Sequence, residues 1–179
     1  MVEETKDKLR RLQQHKDSHF NVLGFLASVI YKTNNCKVIV ETGVSDGGSG
    51  KTLLNSCPGA KYYGYDNWNG ADQIREHTAK SKFKGNPDAT LIKVDTNTLT
   101  TLPENIDLIF VDGDHTTEGC LHDLQLAEKY LSKEGYIITH DMDFHCVQDA
   151  VKKWYDETKF ESMLIKFGRW YGVYWRKVK

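Results

Sequence analysis

The chain has 179 residues, of which 39% are apolar and 27% charged, and its formal net charge is −1. That length suits one globular domain with a real core and is short for two, while the near-neutral charge argues against a nucleic-acid partner. The longest apolar stretch, Val22 to Tyr31, is about half of what a membrane span requires.

The opening segment MVEETKDKLRRLQQHKD has no apolar signal core. The cysteines Cys36, Cys57, Cys120 and Cys146 show neither C-x-x-C pairing nor zinc spacing. They read as buried thiols in a reducing compartment, so a cytoplasmic protein without a membrane partner is expected. Residues 1–32 read as one or two helices, because Leu9, Leu12, His19–Phe20, Leu23, Leu26 and Ile30 recur at three and four. A strand is expected at Lys37–Thr42, followed by the glycine-rich loop GVSDGGSGKT and a short helix from Lys51. Further strands are expected at Lys61–Asp66, Thr90–Asp95, Ile106–Asp112 and Gly135–Asp141, with helices at Ala71–Lys82, Glu118–Ser132 and Cys146–Thr158. Two last strands, FESMLIKFG and WYGVYWRK, are separated by a turn at Gly168 and must pair as an antiparallel hairpin.

Strands alternating with helices imply right-handed crossovers and a parallel sheet covered on both faces. The continuously apolar VIVE, LIFV and YIIT suit such a sheet. In an open α/β sheet, ligands sit outside the carboxyl ends of the strands. Here the first five strands end in Glu41, Asp66, Asp95, Asp112 and Asp141. One such acid alone reads as a helix cap or turn former. Five on one rim make an acidic edge suited to a cationic or hydroxyl-rich ligand.

The loop ends in Gly50-Lys51-Thr52, the ending of a phosphate-binding P-loop, but the glycine expected six residues before the lysine is Ser45. Glu41 would also face the phosphates, and Lys51 is more simply an exposed residue in the first turn of a helix. Read instead as E-T-G-V-S-D-G-G-S, Glu41 through Ser49, the segment resembles motif I of the class I S-adenosylmethionine-dependent methyltransferases. VDGDHTTEGCLHDLQLAEKYLSKEGYIITHD, Val111 to Asp141, resembles a small group of that family whose fourth strand ends in D-G-D-H and whose fifth ends in H-D. Relatives in this group include metal-dependent O-methyltransferases of sugars, antibiotics and other hydroxylated small molecules.

The resemblance covers roughly residues 37 to 158. It implies a Rossmann-like, seven-stranded, mostly parallel sheet with a C-terminal antiparallel hairpin and helices on both faces. The whole chain, 1–179, is then one domain, with a helical segment over 1–32 and the core over 37–179. S-adenosylmethionine is the implied cofactor. Glu41, Gly43, Ser45, Gly47 and Ser49 belong to its loop, Asp66 to its ribose, and Asn67 and Trp68 lie just beyond. The ring of Trp68 could cover an adenine face or pack on its own helix. Asp95 and Thr96 fall where the family contacts adenine, and Asp112 borders the same site.

Methyl transfer to a hydroxyl also needs a base, or a metal that acidifies the acceptor. By resemblance Asp112 and Asp141 are the first metal ligands, for magnesium, manganese or calcium. Met142 stands where the family often places a third ligand, leaving Asp143 or Asp114 as substitutes, or no metal at all. His115 and His140 flank the rim, and either could be the base or a structural partner, with His115 favoured. His145 could cap or neighbour the last helix. His15, His19, His77 and His122, on helices, read as surface or packing residues. The acceptor expected is a small molecule, received by loops 67–88 and 142–146 and the N-terminal helices. Two other readings stand beside this one. One is a P-loop kinase or NTPase. The other is a non-catalytic binding protein of the same fold, whose N-terminal helices serve a partner or a second subunit, as in a homo-oligomer.

Overall fold

The structure, a computed structural model, describes residues 7–8, 18–69, 72–155, 160–167 and 170–177. Leu9, Leu12 and His15, the Gly168 turn and the expected helix end at 156–158 lie outside the described residues. Helix α1 (Ser18–Asn34) leads into β1 (Val38–Thr42), α2 (Gly48–Ser56), β2 (Lys61–Asp66), α3 (Gln73–Phe83) and β3 (Ala89–Lys93). A 3-10 turn (Thr96–Thr98) precedes β4 (Ile106–Val111), α4 (Thr117–Tyr130), β5 (Leu131–Thr139), α5 (His145–Trp154), β6 (Phe160–Phe167) and β7 (Trp170–Lys177).

The strands form one sheet in the order β3-β2-β1-β4-β5-β7-β6. The pairs β1–β2, β1–β4, β2–β3 and β4–β5 are parallel, and β7 runs antiparallel to both β5 and β6. Strand order reverses between β1 and β4, so a crevice opens above their carboxyl ends. Alternate residues of each central strand serve opposite faces, as the two-residue period demands. Ile39, Leu108, Phe110 and Ile138 join one core with Val22, Leu23, Leu26 and Ile30 of α1 and Leu53 of α2. Val40, Ile109, Val111 and Ile137 join the other with Leu124 and Ala127 of α4 and Val147 and Val151 of α5. Each of the fully buried Leu23, Leu26 and Ile30 contributes about 1.5–3 kcal/mol. That burial fixes α1 on the sheet and brings its first turn to the rim. Among the described residues no helix is long and apolar enough to cross a membrane.

Several boundaries differ from the sequence reading, among them α5, which stops at Trp154 because Tyr155 is already extended. Helix α2 begins at Gly48 rather than Lys51, which puts half-buried Lys51 inside the helix. Helix α4 stops at Tyr130, because Leu131 is already extended and starts β5 four residues before Gly135. The β4–β5 register accordingly jumps from Ile106↔Leu131 to Leu108↔Tyr136. Gly135 permits the jump, since a Cβ there would stand 2.7 Å from the Ile106 carbonyl oxygen. Finally, Cys36, Cys57 and Cys120 are buried as expected, but Cys146 is exposed, in the first turn of α5.

Candidate active site

The glycine loop is shaped by what it presses against. Gly43 has φ 86, and a Cβ on it would overlap the Asp112 carbonyl oxygen, so β1 and β4 end in backbone contact at the switch point. Ser45 is also left-handed, at φ 53, as are Trp68 (φ 40) and Asp141 (φ 54). Three non-glycine residues in this sparsely allowed region gather on one rim, where such strain is commonly found at functional sites. Asp66 ties two of them together. Its carboxylate accepts from the Ser45 amide and from the Trp68 amide, both at 2.7 Å. The Trp68 indole N–H returns a bond to the Ser45 carbonyl at 2.8 Å.

Trp68 is therefore neither exposed nor packed only on its own helix. At 1% exposure it lies under the loop against Val44 and Ala79, with its edge on the cavity. The acidic rim also has four members rather than five. Glu41 points inward, fully buried, and accepts from Ser49 Oγ and Tyr62 OH. Burial dominates its ionisation and lifts its pKa to about 8 against those two donors, so Glu41 is neutral at neutral pH. Glu41 and Ser49 thus brace the loop from behind. Gly47 also lies behind it, where a Cβ would stand 2.9 Å from the Phe83 ring. Gly50, of the Gly-Lys-Thr ending, packs inside α2, where a Cβ would stand 2.7 Å from Glu41 Oε2.

Two adjoining cavities open above the strand ends and share Gly43, Asp66, Asn67, Gly113 and His115. The first, about 440 Å³, extends to Asp95, Thr96, Asn97 and Asp114. Asp95 caps the 3-10 turn through the Asn97 amide at 3.0 Å. Asn97 Nδ2 crosses to Asp114 at 2.8 Å, and Asp114 also accepts from the Thr116 amide at 2.8 Å. Burial works against the charge of Asp114, yet these donors keep its pKa below the ordinary value. Beneath this floor lies a buried acid that the sequence reading did not single out. Asp123 of α4 has its pKa raised to about 6 by burial, with Thr42, His122 and Thr96 beside it.

The second cavity, about 580 Å³, reaches Asp112, His140, Asp141 and Phe144. His115 Nε2 stands 2.9 Å from Asp141 and 3.7 Å from Asp112, and His140 Nδ1 stands 3.0 and 3.2 Å from the same two acids. Asp112 and Asp141 hold the His115 imidazole protonated, with its pKa raised to about 10. Burial opposes the charge on His140, but the same carboxylates lift its pKa to about 9. In return, and against the effect of burial, the two imidazoles keep Asp141 ionised well below the usual carboxylate range. Two carboxylates and two imidazolium rings therefore nearly balance.

His19, expected to be a packing residue, comes from the first turn of α1 and meets His140 edge-on, ring centroids 4.7 Å apart. Its pKa is lowered, first by burial and then by the charge of His140. Phe144, which no sequence signal marked, stacks on His115 at 5.3 Å with the planes 7° apart. Ligand atoms of Asp112, His115 and Asp141 all lie within 4.8 Å of one another. Asp143 does not join them. It is exposed in the turn before α5, because the left-handed backbone at Asp141 swings the chain off the rim. Asp114 faces the first cavity instead. His145 begins α5 on the surface, with Phe144 at the cap position, and His77 is exposed on α3.

Comparison with known proteins bears on the family and the fold. A family model described as a methyltransferase domain matches residues 40–142, more than half of the chain. An uncharacterized protein of Acanthamoeba polyphaga mimivirus is 30% identical in an alignment of 135 positions that covers 69% of this chain and 58% of that protein. The chain thus spans well under two thirds of that relative's length. Among solved structures, the O-methyltransferase from Bacillus cereus in complex with S-adenosylhomocysteine matches at a TM-score of 0.71 and 14% identity, covering 100% of this chain and 92% of that one. The O-methyltransferase NovP matches at 0.71 and 19%, covering 89% and 79%. TrmN from Thermus thermophilus matches at 0.63 and 14%, covering 87% and 49%. At such identities these structures share the fold. With the sequence match across the loop and both rim motifs, the chain belongs to the methyltransferase-domain family and has the class I S-adenosylmethionine-dependent methyltransferase fold.

Proposed function

We propose that this chain transfers a methyl group from S-adenosylmethionine to a hydroxyl of a small molecule, assisted by a divalent cation. The observation that carries the reading is the crevice at the β1–β4 switch point, where cofactor-type and acid–imidazole residues share one continuous space. The residues fit the cofactor. Gly43 and Gly113 leave backbone at the shared floor of both cavities. Asp66 accepts two amide bonds and, as a carboxylate with about four lone-pair sites, keeps capacity for the ribose hydroxyls. When bound, the cofactor would supply the methyl group, its S–C bond breaking as the O–C bond forms, with the acceptor's hydroxyl proton passing to water.

The residues also fit a cation. Asp112, Asp141 and His115 offer two oxygens and one nitrogen within 4.8 Å of one another. One nitrogen among the donors favours manganese over calcium or magnesium. The cation would supply acidification of the acceptor hydroxyl. With His115 at about 10 and His140 at about 9, neither imidazole is a ready base in the metal-free protein at neutral pH. Binding a cation at His115 must therefore displace a proton. His19, its pKa lowered, supplies a neutral imidazole beside His140.

The test is titration calorimetry on the folded protein. S-adenosylhomocysteine should bind and ATP should not; ATP binding alone would restore the phosphate reading. Manganese should bind the wild type and fail to bind Asp141→Asn, while cofactor affinity in that variant changes by less than about tenfold. Equal manganese heats in both proteins would remove the cation from the proposal.

A further inference from the structure

The cofactor proposed above carries a sulfonium, an ammonium and a carboxylate. The larger cavity is lined by Asp66, Asp72, Asp112 and Asp141. Asp112 and Asp141 are nearly balanced by His115 and His140, while Asp66 and Asp72 suit the two cationic groups and repel the carboxylate. The usual seat for a carboxylate would be the amides at the start of α2. One amide of that seat is already capped, because Asp46 Oδ1 accepts from the Gly48 amide at 3.0 Å, and the other Asp46 oxygen, paired with Lys82 at 2.9 Å, keeps a negative charge beside it. Among the described residues lining the cavity, Arg75 of α3 is the one lysine or arginine. It stands near enough to the glycine loop to act on the charge of Asp46. Its ion pair with Asp72 is 3.5 Å long and solvent-exposed on both sides, 60% and 48%, so that pair has little to lose to a competing carboxylate. A guanidinium offers a planar fork that matches a carboxylate through two parallel bonds.

We propose that Arg75, which lines the same cavity as Asp112 and Asp141, receives the carboxylate of the cofactor's methionine end. The proposal rests on the reading that S-adenosylmethionine is the cofactor. It makes α3, otherwise a surface helix, the element that discriminates an intact amino-acid tail from a truncated one.

Two ligands separate this role from a structural one. S-adenosylhomocysteine carries the amino-acid tail, and 5′-methylthioadenosine has the same adenosine and sulfur without it. Calorimetry with wild type, Arg75→Ala and Arg75→Lys reads the difference, with near-ultraviolet circular dichroism confirming the fold of each. Arg75→Ala should bind S-adenosylhomocysteine about ten- to a hundredfold more weakly and 5′-methylthioadenosine unchanged. Arg75→Lys, which keeps the charge and loses the fork, should fall between. Equal loss for both ligands, or no loss for S-adenosylhomocysteine, overturns the proposal and leaves the cofactor reading intact. If wild type binds neither ligand, the cofactor reading itself fails, and this role for Arg75 fails with it.

Discussion

Replacing Glu41 by Gln should change the pH dependence of stability more than stability itself. The carboxyl is fully buried between Ser49 and Tyr62, and burial raises its pKa from 4.5 to about 8. A Gln there keeps an acceptor oxygen, and a hydroxyl can rotate to accept from its amide nitrogen. Below about pH 4.5 the acid is protonated in folded and unfolded chains alike, and its contribution to stability is fully present. As the pH rises, the unfolded chain ionises first while the folded one stays neutral, so stability is lost until the pH passes the folded value of about 8. At ~1.4 kcal/mol for each pH unit, the window amounts to roughly 5 kcal/mol, of which ~3 kcal/mol falls between about pH 5 and about pH 7. Urea unfolding of metal-free protein at several pH values gives the two curves. The wild type should lose stability relative to Glu41→Gln as the pH rises, because the variant lacks the titrating group. Parallel curves would mean that Glu41 is ionised in the fold, and that its neighbours compensate a buried charge which this account leaves neutral.

Gly43→Ala should cost about 3 kcal/mol or more, from left-handed strain plus displacement of the Asp112 carbonyl, and a melting temperature within a degree of wild type would refute the contact. Trp68→Phe removes the 2.8 Å bond to the Ser45 carbonyl and should lower unfolding free energy by ~1 kcal/mol; an unchanged urea midpoint would show that the bond is not holding the loop. Asp141→Asn in metal-free protein should bring the His115 pKa down from about 10 towards 6.5, followed by proton NMR of the imidazole; an unmoved titration would mean Asp112 alone sets it. His77→Ala, on the exposed face of α3, should stay within about 0.5 kcal/mol of wild type. His122→Ala, by contrast, should cost about 1 kcal/mol, because its half-buried imidazole packs 3.7 Å from buried Asp123, and denaturant midpoints that do not separate the two variants would refute this.

Local periodicity and spacing determined much of this protein. Alternation of apolar runs with helical faces gave seven strands within two residues of their ends except at β5, because a strand buried on both faces must be continuously apolar. Glycine spacing marked the loop, since only glycine can bring the Gly43 backbone against Asp112. The acids at strand ends were legible too, because a parallel sheet sends every strand's carboxyl end to the same rim. What a side chain meets there was not legible. Glu41 and Asp112 are both strand-end acids in sequence, yet one faces the core and the other the cavity, because Glu41 pairs with Phe110 inside the sheet whereas Asp112 lies one residue beyond the end of β4, where the chain has left the strand for the rim. Asp143 looked as near to Asp141 as His115 looked far. The left-handed turn at Asp141 removes the first, and adjacency of β4 and β5 delivers the second. His19 is more than a hundred residues from His140 and reaches it only because α1 buries its apolar stripe against the sheet with its first turn at the rim. Tertiary packing decided those contacts, since they join chain segments whose separation in sequence carries no information about their distance in the fold.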